Sequence, residues 1–494
     1  MRYLNLYLIL VLVSFLVGIF TTNILETGAL SFMVLLFFSC IFLWISVYIW
    51  QYRHVVFPLF IGYIFGIFLS LWTLSFVQEN LSIIEPLTFF PQKIEVTIID
   101  IYRKNDFSVD YVWVVSSIGD VGISENSIKT IVRIPANFSL DLGDTISYTS
   151  RIYMIESFDG FEYKKYMISR GIYFRSYGNT FERISSKNIH PLFLKLHHTR
   201  KYLLEQLDDL YPKEEKIFLW GILLWAREDI PPDLKTDFNN SGLTHFIAVS
   251  GFNITILIIF FGYLFQYFPL TLRTILIITS ILLFMVLVWF SAPVIRAGVM
   301  GIIGYLILVS GRKAESLTIV LITAACMVTV SPLSLNYDVS FHLSFLAVIG
   351  IVYTQGFLKK WFSFLPETFA IREAFILTIA ALSFTLPIMV FNFWQVSLLA
   401  PLANIAVTWT IPLAMLLGFL SLIAYIIYPP LGYIIAFFDW VLLKYDIMMV
   451  HFFGNIQWAL LQVDLWEYAV YIEILYFILL TFLIVYFGQK KKAV

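Results

Sequence analysis

Apolar runs long enough to cross a bilayer recur along most of this chain, and each must be covered by lipid or by another such run. Segments near Leu4–Thr22, Leu30–Trp50 and Val55–Val77 each approach the roughly 20 apolar residues that span a hydrocarbon core. Further runs are centred near residues 256, 281, 301, 323, 347, 382, 405, 421 and 478. Only 13% of the 494 residues are charged, about half the share of a soluble domain, so the chain lacks the polar side chains to cover itself against water. The reading is a polytopic α-helical membrane protein with about 11–12 transmembrane helices. The first run is longer than a signal peptide's apolar region and no small-x-small cleavage site follows it, so it reads as an uncleaved anchor.

One stretch breaks the pattern. Residues 91–186 alternate in strand fashion through KIEVTIIDIY, DYVWVVSSI, KTIVRIPANF, DTISYTSRIYM and GIYFRSYG, with turn residues at Gly119-Asp120, Leu142-Gly143-Asp144 and Asp159-Gly160. Five or six short strands in this space predict one small antiparallel β-barrel of OB-like type. The order along the chain is then three N-terminal transmembrane helices in 1–78, the OB-like barrel in 91–186, amphipathic or interfacial helices in 190–240, a transmembrane domain in 241–488 and a basic tail in 489–494. The short-loop cations Arg2, Arg53, Arg273, Arg312-Lys313, Lys359-Lys360, Arg372 and Lys490–Lys492 fall on one side if the runs alternate, which makes that side, with both termini, cytoplasmic and the barrel extracytoplasmic. Within 396–462 the spans, re-entrant turns and interfacial segments are not separable by pattern. Pro412 divides one run, and Asp439, Lys444, Asp446, His451 and Trp458 favour an interfacial 431–462 over a full pass at 431–452.

Several function classes are excluded or unsupported. A net charge of −1 offers no general basic field for nucleic acid, so any attraction must be local. The seven histidines and two cysteines, Cys40 and Cys326, show no structural-zinc spacing, and there is no P-loop or HExxH, so no metal, cofactor or catalytic residue is assigned.

What remains is polar residues inside apolar runs, each costing about 2.5–3.5 kcal/mol at the bilayer centre if charged. Four clusters stand out. In SGLTHFIAVSGFNITIL, helical spacing places His245, Ser250 and Asn253 on one face, while Gly242 and Gly251 allow close approach or a break. In APVIRAGVM, Arg296 follows Pro293 and either snorkels to the outer interface or faces an aqueous cavity suited to phosphate or carboxylate. In NYDVSFHLSFLAVIG, Asp338 and His342 are i, i+4 with Ser344 nearby. In FNFWQVSLLAPLANIAVTW, Asn392, Gln395, Ser397 and Asn404 interrupt an apolar segment that contains Pro401. Irregular backbone at that depth is tolerated where it is buried in protein or lines water.

The same four clusters, in the same order, resemble the membrane region of the ComEC-type competence proteins, here as GLTHFIAVSGFNI, PVIRAGVM, YDVSFHLSFLAVIG and WQVSLLAPLANI. The outer β-domain, with FDGFEYKKYMISRGIYF near its end, is similar to that family's OB-type domain. The resemblance implies a channel that imports single-stranded transforming DNA across the cytoplasmic membrane, beside a membrane DNA receptor, a cytoplasmic DNA translocase and a separate nuclease. Position 253 is Asn where the family often has His, and 342 is His where Gln is usual. The zinc-binding HxHxDH signature of the family's metallo-β-lactamase-like domain is absent from these residues, so no nuclease activity is expected. Two readings compete with the channel. One is a solute or lipid-intermediate transporter; the other is a membrane scaffold whose barrel binds a partner.

Overall fold

The computed structural model describes residues 2–24, 53–104, 107–119, 121–123, 128–138, 140–157, 162–178, 180–185, 191–224, 230–247, 251–288, 291–311, 316–364, 371–456, 458–462 and 476. The expected spans at 30–50 and around 478, the basic tail, Ser250 and the Asp159-Gly160 turn lie outside them. The chain divides into two compact units, 1–197 with 321–338, and 198–320 with 339–494.

The first unit pairs two apolar helices, α1 (Arg2–Ile24) and α2 (Arg53–Ile84), with a β-domain. Strands β1 (Gln92–Lys104), β2 (Ser108–Ile118), β3 (Val121–Gly122), β4 (Lys129–Pro135), β5 (Thr145–Ser150), β6 (Tyr153–Met154), β7 (Ile172–Tyr177) and β8 (Phe181–Ser185) form one sheet in the order β6-β7-β4-β2-β1-β5-β8, with β3 on β2. All five predicted strand segments are present. Their alternation puts Ile94, Val96, Ile98, Trp113, Val115, Val132, Ile134, Ile146 and Phe174 in the core. Register shifts along β1 at Glu95/Val96, Ile98/Asp100 and Ile101/Arg103 let one long strand bend between two neighbours. Two features differ from the expectation. The β4–β7 ladder is parallel, and a short helix, α3 (Tyr163–Ser169), carries the connection between β6 and β7. Among the described residues the sheet is an open path, with no ladder joining β6 to β8.

A buried amide knits this unit together. The Asn23 amide donates to the Pro332 carbonyl (3.0 Å) and to Asn336 Oδ1 (2.9 Å), and its own oxygen accepts from Ser70. Ser331 then donates to the Ser169 carbonyl at the end of α3.

The second unit is helical: α4 (Pro191–Leu210) enters it, followed by α5 (Lys213–Leu224), α6 (Pro232–Ser241), α7 (Gly251–Leu264), α8 (Leu270–Leu287) and α9 (Ala292–Val309). Helix α10 (Ser316–Val330), from Leu321 on, and the turn α11 (Ser334–Tyr337) belong to the first unit; the second continues with α12 (Val339–Trp361), α13 (Ile371–Phe393), strand β9 (Gln395–Ser397), α14 (Ala400–Thr408), α15 (Ile411–Ile427), α16 (Pro429–Gly454) and strand β10 (Leu460–Gln462). Among the described residues six helices are long and apolar enough to cross a membrane, and α14 with α15, bent by 44° at their junction, make up to a seventh. Helices α7 and α10 are apolar but shorter. The bend falls at Trp409-Thr410, so Pro412 occupies the first turn of α15, where its missing N–H costs nothing, rather than interrupting a helix.

The segment 190–240 holds the helices α4, α5 and most of α6, in keeping with the several helices expected there. Helix α5 buries Ile217, Phe218, Leu219, Ile222, Leu223 and Leu224, because IFLWGILL is apolar all round and packs as a core helix. Outer faces run the other way: α8, α15 and α16 expose Ile275, Leu283, Ile427, Ile434, Phe437 and Phe438 while polar side chains lie inside. That is the pattern of a multi-pass membrane protein, whose outer surface meets lipid.

Helices α12 and α13 cross at Gly350, where a Cβ would run into the Ala380 carbonyl and the Phe384 ring. Gly350→Leu is expected to cost about 1–3 kcal/mol and to lower the thermal midpoint of the purified protein, read by fluorescence-detected size exclusion after heating. An unchanged midpoint would refute this crossing.

Candidate functional site

The first and fourth sequence clusters meet. Helix α6 ends at Gly242, whose φ of +74° is left-handed, and the Gly242 and Leu243 N–H groups close the helix onto Asn239 and Phe238 carbonyls (3.1 and 3.0 Å). A Cβ at 242 would strike Ala400 Cβ at 2.6 Å and Ser397 Cβ at 3.0 Å, so glycine serves both the turn and the close approach of β9 and α14. Ser397 Oγ donates to the Asn240 carbonyl at 2.7 Å, fastening the two segments. Strand β9 pairs with β10, setting Gln395 opposite Gln462 and Ser397 opposite Leu460. The chain enters β9 through Trp394, a non-glycine at φ +56°, and leaves it into α14 with Pro401 in the first turn.

His245 does not share a helix face with Asn253, contrary to the helical-spacing expectation. Residues 243–247 form a turn, because the Gly242 reversal ends α6; α7 covers Gly251–Leu264. His245 Nδ1 lies 3.1 Å from the Gly242 carbonyl, and its ring sits beside the Asn404 side chain. Asn404 in turn donates to Thr378 Oγ1 of α13 at 2.7 Å. The His245 ring is exposed to solvent beside the Asn404 side chain. Asn253 is buried in the first turn of α7 and donates to the Ile222 carbonyl at the end of α5 (3.0 Å). Gly251 meets open space, so close approach is served by Gly242 alone.

The second and third clusters meet separately. Arg296 is buried on α9, after a first turn containing Pro293, and its guanidinium donates to Ser340 Oγ of α12 at 2.7 Å. It therefore does not snorkel. His342 and Ser344, both half-buried, lie on the same helix as Ser340. Asp338 is buried in extended backbone just before α12, so the Asp338/His342 stripe is not a helix face. The two polar nodes are bridged by apolar packing of α7 on α9, where Gly301 faces Ile254 and Ile258. Among the described residues no group of His, Cys, Asp and Glu could hold a metal ion.

Two further polar residues sit inside the unit. The buried positions of α16 are Gly432, Ala436, Asp439, Leu443, Asp446, Ile447, Val450 and Gly454, a three- and four-residue seam that includes both aspartates. Both are fully buried: Asp439 accepts from Tyr211 and Asp446 from Thr410.

The fold and the two nodes define a multi-pass helical protein with polar side chains clasped inside it. A family model described as Competence protein matches residues 222–490, and the chain belongs to that family. No curated protein and no solved structure matches the chain.

Gly242→Ala is expected to cost about 1–3 kcal/mol from backbone strain in addition to its clash with Ala400, whereas Gly251→Ala should stay within about 0.5 kcal/mol. Thermal midpoints of the two variants check this; equal midpoints would contradict the Gly242 clasp.

Proposed function

We propose that the helical domain is the conduit through which a single strand of transforming DNA crosses the cytoplasmic membrane, as the membrane step of competence. Membership of the competence family supports a role in DNA uptake. The observation that carries the finer reading is the clasp of Gly242, His245, Ser397 and Asn404, at which the polar His245 ring stays exposed. A polynucleotide path needs hydrogen-bonding groups that water reaches, and a sealed apolar bundle has none.

On this reading both termini are cytoplasmic and the β-domain, of OB-like type, faces outward to receive the strand. The domain offers suitable chemistry: Tyr102, Tyr153 and Tyr177 are exposed, Arg133 lies over the Tyr177 ring (6.0 Å) and Arg170 over Tyr166 (4.6 Å). Aromatic faces beside guanidinium groups accept bases of any sequence. The partners are the strand itself, a membrane DNA receptor, a cytoplasmic DNA translocase and a separate nuclease; the chain itself is no enzyme and uses no cofactor.

Deleting the gene in a competent host should reduce transformation by added DNA to background, with rescue by the wild-type chain and not by the His245→Ala/Asn404→Ala double variant. Undiminished transformation would overturn the reading; loss of small-anion uptake with transformation intact would favour the transporter instead. With purified full-length protein, labelled single-stranded oligonucleotide should bind more weakly as salt rises. The Tyr153→Ala/Tyr177→Ala variant should lose about 1–3 kcal/mol of affinity per stacked base. Salt-independent binding, or equal affinity of the variant, would remove the β-domain from the path.

A further inference from the structure

Asp439 and Asp446 lie two turns apart on the seam of α16, both with no exposed surface. Each has one hydroxyl donor: Tyr211 to Asp439 Oδ2 at 2.7 Å, and Thr410 to Asp446 Oδ1 at 2.5 Å. The opposite oxygens, Asp439 Oδ1 and Asp446 Oδ2, are buried with no hydrogen-bond partner. Gly418 keeps the space beside Asp439 open, since a Cβ there would stand 3.1 Å from Oδ2.

The charged groups of the neighbouring elements are directed elsewhere. From the α4–α5 side, Lys216 pairs with Asp208, Asp209 accepts from Tyr425, Glu215 from Trp440, and Glu214 faces His451. On α6, Asp237 pairs with His451, while Asp233 and Lys235 are exposed. On α16, Lys444 lies over the Trp440 ring. Helices α14 and α15 carry no charged residue.

A carboxylate in this setting has one neutral donor and no cation to offset its lost hydration, so the neutral acid is the favoured resident. An asparagine would accept the same hydroxyl through its carbonyl oxygen. What a carboxyl adds is a proton that can leave and return.

We propose that Asp439 and Asp446 are a pair of exchangeable proton-binding sites inside the helical unit, their ligand being the proton itself. In each, a proton from water bonds to the free oxygen and converts the carboxylate to the neutral acid; release reverses the step, breaking only that O–H bond. The hydroxyls of Tyr211 and Thr410 link each site to the neighbouring elements, so loading a proton bears directly on how α16 packs against α15 and the α14–α15 bend. The inference is independent of what the conduit carries.

The test is infrared difference spectroscopy on the purified full-length protein in lipid across pH steps. Over pH steps kept above the range in which exposed carboxylates titrate, about pH 4, the wild type should show a carboxylic-acid carbonyl band that grows on acidification and shifts in heavy water. Asp439→Asn and Asp446→Asn should each remove about half of it, and the double variant all of it. A band that is unchanged in the double variant, or that does not respond to pH, overturns the proposal. Wild-type protein treated with a hydrophobic carbodiimide supplies a check that needs no variant. Mass spectrometry should find adducts on Asp439 and Asp446 that fade as pH rises; no adduct, or pH-independent adducts, also overturns it. Neither readout involves DNA, so this proposal and the conduit reading can fail separately.

Discussion

A polar group enclosed by apolar side chains must find its partner inside the same bundle, because no water is present to replace it. In this protein that requirement decides where chain segments meet. Ser397 reaches back to the Asn240 carbonyl, Asn253 to the Ile222 carbonyl, Asn404 to Thr378, and Arg296 to Ser340. Each bond joins segments far apart in sequence, and together they fix the turn at Gly242, the β9–α14 entry and the α9–α12 contact. Dispersion and apolar packing fill the rest without choosing among registers in the same way.

The architecture separates two tasks. A sheet domain with a mixed polar and aromatic surface belongs to the first unit, and the competence-family region lies almost wholly in the second. In the second unit the polar side chains that the family resemblance singled out divide into two nodes, one where the Gly242 turn meets α14 and one where α9 meets α12. The carboxylates of α16 form a third polar group beyond both, against Tyr211, Ser421 and Thr410.

Much of this was legible in the sequence. Helices follow the apolar runs because their length and composition leave no other way to satisfy the backbone in lipid. The β-strands follow the apolar, β-branched runs, as in KTIVRIP, where Thr130, Ile131 and Val132 are all buried and Arg133 is exposed between Val132 and Ile134. The four motifs located both nodes. What pattern could not supply was backbone reversal and phase. A helical wheel over 241–257 assumes a helix that Gly242 ends, and the Asp338/His342 stripe assumes one that starts only at Val339. The burial of Asp439 and Asp446 follows phase rather than charge: they fall in step with Gly432, Ala436, Leu443 and Val450, the side of α16 that packs inward. The parallel β4–β7 ladder depends on a connection through α3 that no local alternation announces.

The central proposal is that the clasp at His245 and Asn404 lines a wet passage for a strand. Its most direct test is thiol accessibility of His245→Cys in a background lacking Cys40 and Cys326, using a membrane-impermeant reagent with and without single-stranded DNA. The account predicts labelling from water, slowed when the strand is bound. No labelling at all, or labelling at a rate indifferent to DNA, would contradict it.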